Sequence, residues 1–197
     1  LKDITMANQN AAFGLRPLGK LGSNVNSEGV TEYKIASGAS GNIFSGDPVK
    51  MTSAGTILVA GAGDQLLGVF RGCKFTNSSG EIIFSAHWPN GTVTSDAVAF
   101  VVDDPNALFE VESAATGSVV QTVVGNNADI VYASGSTTDG QSGVTISGTT
   151  AATSAQLRIV GISNDPENNT LGTGSQSANV NLIVKINEHF YAQVTGV

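Results

Sequence analysis

The sequence is short of charge, of aromatic residues and of cysteine. Charged residues make up 13% of the 197 positions, against about 25% in ordinary globular domains. Contact with other protein favours such a surface, because a buried charge is costly; long exposed Gly/Ser/Thr loops would give the same composition. Cys73 is the one cysteine, so an intramolecular disulfide is excluded and folding needs no oxidising compartment. Aromatics are 6%, with Trp88 the one tryptophan, which argues against a sugar-stacking surface. Lys and Arg number 9 against 16 Asp and Glu, for a formal charge of -7. With no basic cluster to neutralise phosphate, nucleic acid is not an expected partner. No apolar run approaches the ~20 residues that span a bilayer, so no membrane partner is expected either. The first residues lack the pattern of a secretory signal. Met6-Ala7-Asn8 reads as an ordinary translation start, and residues 1–5 are set aside from the fold argument.

Residues of catalytic chemistry are equally sparse. His87 and His189 are the two histidines, and neither falls in an HExxH or other metal spacing. Cys73 has no CxxC partner, and a Cys73/His87 nucleophile pair is a remote option. No GxSxG elbow, P-loop or strand-linked GxGxxG occurs; Gly61-Ala62-Gly63 reads as a turn. Asp103-Asp104-Pro105-Asn106 is the densest acidic site. It could hold Ca²⁺, or it is an Asp-Pro turn between two apolar strands, the reading preferred here. The stretch 164–169 (NDPENN) has the same two readings, with an exposed loop preferred. Asn77, Asn90 and Asn168 begin glycosylation sequons, which arise by chance in a chain rich in Asn, Ser and Thr. No catalytic residue, cofactor or metal is expected.

What is present is glycine, 24 residues, near twice the ~7% average, with abundant small and β-tolerant residues. Strand signals dominate from about residue 30. VTEYKI (30–35) alternates. Pro48 to Met51 and TILVA (56–60) form a hairpin across 52–55. QLLGVFRGCKF (65–75) is a longer strand in which Gly68 and Gly72 mark bulges or close backbone approach. Residues 82–87 follow a turn at 77–80, and Asn90-Gly91 is a strong turn signal. AVAFVV (97–102) reads as a strand buried on both faces, and LFEVE (108–112) alternates. Residues 156–162, 179–187 and 189–194 complete the strands, and 164–177 is a long polar loop. Ser118-Val119-Val120-Gln121 has capping-box spacing with Gly125 beyond it, so one short helix burying Val119, Val120, Val123 and Val124 competes with a strand there. The fold class is all-β: a small antiparallel barrel or sandwich with at most one short helix.

Two segments stand apart. Residues 1–40 are expected to form an extended N-terminal arm, with the barrel or sandwich domain over 41–197. Residues 10–22 have Gly or Pro every few positions and neither helical nor strand period, yet Phe13, Leu15, Leu18 and Leu21 are apolar. Such an arm needs a groove, on its own domain or, the preferred reading, on a neighbouring chain. Residues 134–155 are low in complexity and are expected at the surface, with Val144 to Ile146 as a short edge strand.

The order Gly46-Asp47-Pro48-Val49-Lys50, Ala54-Gly55-Thr56-Ile57-Leu58, Asp64-Gln65-Leu66-Leu67-Gly68-Val69-Phe70 resembles the small β-barrels of tailed-bacteriophage head-decoration, or cement, proteins. The stretch MANQNAAFGLRPLG (6–19) is similar to the N-termini of structural proteins of marine and cyanobacterial phages, as are LRIVGI (157–162) and VKINEHF (184–190). The resemblance covers about half the chain in short motifs. It implies a non-enzymatic virion protein, made in the host bacterial cytoplasm, that docks on the capsid exterior and bridges capsomers. Its expected partners are the major capsid protein and itself, as a dimer or trimer. Phe13, Leu15, Arg16, Leu18 and Leu21 are then the expected docking residues, with Arg16 meeting an acidic groove. A tail-tube or other virion protein is the alternative, and a receptor- or carbohydrate-binding module a more distant one.

Overall fold

Valine, isoleucine and threonine set between small polar residues favour extended backbone, and Gly and Asn turns set the strand lengths. The computed structural model describes residues 8–22, 29–117, 119–150, 153–164, 168 and 178–192, and carries fifteen strands among them. These begin with β1 (Arg16–Lys20), β2 (Thr31–Lys34), β3 (Ile43–Phe44), β4 (Pro48–Met51) and β5 (Ile57–Val59). Next come β6 (Gly68–Thr76), β7 (Ile82–Ser85), β8 (His87–Trp88), β9 (Val98–Val102) and β10 (Ala107–Gly117). The last are β11 (Asn127–Ala128), β12 (Ile130–Val131), β13 (Thr145–Gly148), β14 (Leu157–Ile162) and β15 (Asn181–Ile186).

One sheet has the order β11-β14-β15-β10-β13-β12, with β1 paired to the first half of β10. A second has the order β2-β9-β6-β4-β5, with β7 paired to β6, and β3 pairs with β8. Of the described strand pairs, β10 with β13 is the parallel one. The architecture is all-β, with barrel-like and sandwich-like sheets, as the strand spacing implies. Phe109 and Val111 of β10, Leu157 of β14 and Leu182 of β15 share one core with Val69 and Val102 of the second sheet. The two sheets are therefore joined by apolar packing. A second cluster gathers Phe70, Cys73, Trp88 and Val101, with Phe75 edge-on to Trp88 at 5.3 Å between ring centroids.

The β6 glycines have the physical reason expected of them. The register of β6 against β9 shifts between Phe70 and Gly72, where Gly72 has φ 150. A Cβ on Gly68 would stand 2.3 Å from the Val102 carbonyl oxygen, so only glycine lets the strands meet there.

Several expectations change. The segment set apart as an arm contributes two strands, β1 and β2, because β10 and β9 each offer it a free edge. The segment 134–155 is not all surface: Val144 and Ile146 are fully buried, and β13 lies between β10 and β12 and is no edge strand. The capping-box site forms a single 3-10 turn, Gln121–Val123, with no side-chain cap, since β-branched valines resist a longer helix; Ser118 lies outside the described residues. β9 is buried on one face, with Val98 and Phe100 half-exposed on the other. After Ile186 the chain turns through a 3-10 segment, Phe190–Ala192, where a strand was expected.

Candidate functional site

Alternation along β10 sends Phe109 and Val111 into the core, so Glu110 and Glu112 share the opposite face. Both carboxylates are nevertheless buried. Glu110 is opposite Arg16 in the β1–β10 register and forms an ion pair with it. Its other oxygen accepts from the Ser163 hydroxyl at 2.6 Å. The Arg16 guanidinium also lies 4.8 Å from the Phe13 ring centroid. Arg16 is thus engaged twice by its own chain.

Among the described residues Glu112 has no such cation. Its Oε2 accepts from the Ala11 amide at 3.0 Å, while its Oε1 is buried without a hydrogen-bond partner. Burial pushes its carboxyl above the ordinary value, and the Ala11 amide draws it part of the way back. The carboxylate faces a cavity of about 200 Å³ whose wall includes Phe13, Arg16, Asn168, Asn179 and Asn181.

Two devices hold that wall. The Ser113 amide donates to the Val180 carbonyl at 2.8 Å, and the Val180 amide donates to the Ser113 hydroxyl at 2.9 Å. Asn168 donates through Nδ2 to the carbonyls of Ser163 and Asn181, at 2.8 and 2.9 Å, and accepts the Asn181 amide at 2.8 Å. Its amide nitrogen is consumed, which leaves the sequon at Asn168 structural. Asn179 adopts φ 56, the left-handed conformation that asparagine tolerates, and its Oδ1 is also buried without a partner.

The five expected docking residues separate. Leu15 is fully buried in the chain's own core. Phe13 is half-buried under Arg16, and Arg16 meets Glu110 of the same chain, so neither is free as expected. Leu18 and Leu21 remain outward, 43% and 47% exposed. β1 has no second strand partner among the described residues.

The acidic stretch after β9 is a turn. The Asp104 side chain accepts the Asn106 amide at 2.7 Å and pairs with Lys20, and the Ala107 amide donates to the Asp104 carbonyl. Hydrogen bonding from Lys20 is the first cause that holds the Asp104 carboxyl below its ordinary value. Asp103 is taken by Tyr33 at 2.6 Å and Thr31 at 2.9 Å. No group of three His, Cys, Asp or Glu residues that could hold a metal occurs among the described residues. In the 164–169 stretch only Asn164 and Asn168 are described.

Cys73 is buried, and burial pushes its thiol up to about 12. Its Sγ faces the His87 carbonyl at 3.5 Å, whereas the His87 ring stacks on Phe44, so thiol and imidazole are not paired. A larger groove of about 410 Å³ lies beside Lys50, Asp64 and Phe190. The Lys50–Asp64 ion pair, at 2.8 Å, crosses its wall and already satisfies both charges.

Sequence reasoning missed Glu112 and Asn179. The alternation of LFEVE did place both glutamates on one face, but which of the two would find a cation depended on how the N-terminal strand crossed them. Comparison with family models, with curated proteins and with solved structures finds no match to this chain.

Proposed function

We propose that this chain is a structural protein of a tailed-phage virion, one that binds the outer surface of the capsid and bridges capsomers, with neither catalytic role nor cofactor. The observation that carries the reading is a pair of open strand edges bearing apolar side chains. On β7, Ile82 and Phe84 are 66% and 71% exposed, and among the described residues β7 pairs with β6 alone. On β1, Leu18 is exposed in the same way and Leu21 follows it. Monomeric proteins blunt such edges with charge or cover, because they template pairing with another chain. An edge that offers backbone groups and apolar side chains together suits strand addition to a neighbour. Contacts of this kind repeated over a symmetric shell reinforce one another through effective concentration. The docking set this supports is Leu18 and Leu21 with Ile82 and Phe84; Leu15 has its own core to fill.

Co-sedimentation of the purified chain with empty capsid shells tests the reading. Saturable binding is expected, with occupancy lost in a Leu18→Asp/Leu21→Asp or a Phe84→Asp protein that still folds. Absence of binding at micromolar chain overturns it.

One observation favours a second reading, a tail-tube protein. The open edges lie on different sheets, so pairing β1 of one copy with β7 of the next would be head-to-tail, a geometry that closes into a ring where the rotation returns to its start and runs on as a filament where it does not. Light scattering separates the two: a ring of six copies supports the tube, a dimer or trimer the cement protein.

A further inference from the structure

We propose that the cavity beside Glu112 is a binding site for a primary ammonium group, the head of a lysine side chain or of a small unbranched amine. This inference stands on the cavity alone and does not depend on the assembly reading.

Three features of the cavity select the ligand. First, two acceptors on its wall meet no donor among the described residues. Glu112 is 2% exposed, and its Oε1 and the Asn179 Oδ1 are both buried and unpartnered. An orphaned buried carboxylate oxygen is costly, and a ligand that brings N–H groups removes that cost. An ammonium has three donors, enough for these oxygens and for a side-chain amide of the wall or water.

Second, the local charge is uncompensated. Glu110 is neutralised by Arg16, and Arg16 is held over Phe13. Among the described residues Glu112 therefore has no cation of its own, although a guanidinium lines the same cavity. The Phe13 ring on the wall offers apolar surface to a methylene stalk.

Third, the geometry discriminates among cations. A guanidinium binds a carboxylate best through both oxygens, as a fork. Here Oε2 is already taken by the Ala11 amide, which leaves a single free oxygen, suited to a point charge. A calcium ion takes six to eight oxygens, usually from several carboxylates. This cavity has one free carboxylate oxygen beside a guanidinium, and no metal-ligating group of three lies among the described residues. Its volume of about 200 Å³ admits a short alkylammonium.

The test is a titration of the full chain at pH 8 and constant ionic strength, followed by calorimetry and by melting temperature. The probes are n-butylammonium, Nα-acetyl-lysine amide, tetramethylammonium and CaCl₂. Saturable binding of butylammonium and of the blocked lysine is expected in the millimolar range, with a rise in melting temperature. Tetramethylammonium, which has no N–H, is expected to do neither. Glu112→Gln keeps an acceptor for the Ala11 amide and is expected to weaken butylammonium at least about tenfold, the scale of a lost charged hydrogen bond. Should that variant fold poorly, the wild-type protein still decides: binding must weaken as the pH falls and Glu112 takes up a proton. Equal response to tetramethylammonium, a response to CaCl₂ alone, or butylammonium binding that ignores both pH and Glu112→Gln would overturn the proposal. Tighter binding of the blocked lysine than of butylammonium points to a protein side chain as the source; equal binding points to the ammonium head alone. Both outcomes support the site.

Discussion

Gly14 and Ser142 meet so closely that a Cβ on the glycine would stand 2.6 Å from the serine Cβ. The contact joins the N-terminal segment to the middle of the low-complexity stretch. Gly46 completes it, accepting the Leu15 amide at 2.8 Å through its carbonyl. The N-terminal strand is thereby fixed at the seam where the two sheets meet.

Gly14→Ala should therefore destabilise the whole protein. The added methyl meets the Gly46 carbonyl oxygen at 2.5 Å, and Gly14 has φ 71, a conformation that favours glycine. Clash and backbone strain together put the loss at about 2–4 kcal/mol. A urea melt reads it directly. A change under about 0.5 kcal/mol, the size of a neutral surface substitution, would show that the segment does not hold the seam.

Leu15 and Leu18 sit three residues apart and should behave as opposites. Leu15→Ala empties a fully buried position and is expected to cost about 2–5 kcal/mol. Leu18→Ser, at an outward position on β1, is expected to cost less than about 0.5 kcal/mol yet to lower occupancy in shell co-sedimentation. Equal effects of both on stability would mean that Leu18 is also core.

The hairpin of β4 and β5, the bulged β6 and the turn at Asp104 were legible because each rests on local chemistry: alternation, glycine and Asp-Pro turns. The place of β1 was not. Residues 10–22 have no strand period of their own, and what orders them is a distant edge, β10, together with the Gly14 contact to Ser142. For the same reason residues 134–155 read as surface, although Val144 and Ile146 fill the core. Short apolar residues among serines and glycines give no period, and only the parallel pairing with β10 reveals their inward face. The Glu112 cavity was out of reach because an orphaned oxygen is a property of the assembled walls.

Cys73 should be inert to alkylation in the folded protein. Burial pushes its thiol from 9.0 up to about 12, which lowers the thiolate fraction at pH 8 about a thousandfold below that of an ordinary thiol. Iodoacetamide labelling followed by mass spectrometry should therefore be slow in buffer and fast in urea. Rapid native labelling would mean that the β6–β9 region opens readily.

Asp47 should set the alkaline side of the stability profile. Its carboxylate is fully buried. Oδ2 accepts the Phe44 amide at 2.8 Å, and Oδ1 has no hydrogen-bond partner. Burial pushes the carboxyl from 3.8 up to about 6, against the downward pull of the Phe44 amide and the nearby Ser142 hydroxyl. Burial first, and then the Asp47 charge, raise the Tyr132 hydroxyl above its ordinary value. A carboxyl whose folded pKa is raised stabilises the fold most below pH 3.8, where it is protonated in both states. That stability declines as the pH rises towards about 6, and then stays level. At about 1.4 kcal/mol per pKa unit, the full loss is up to about 3 kcal/mol. Asp64 and Asp104 act in the opposite sense: their lowered carboxyls lose stability as the pH falls below 3.8. The two senses meet near pH 3.8, and His189, whose imidazole burial holds below its ordinary value, adds stability as the pH rises towards 6.5, so the difference between the wild type and Asp47→Asn isolates the Asp47 contribution. Asp47→Asn keeps an oxygen for the Phe44 amide and removes the charge, so it should raise the melting temperature at pH 8 and leave it unchanged at pH 3.5. Melts of both proteins across pH 3.5–8 measure the difference. A wild-type curve that runs parallel to that of Asp47→Asn through pH 4–6 would show that Asp47 titrates alike in the folded and unfolded chains.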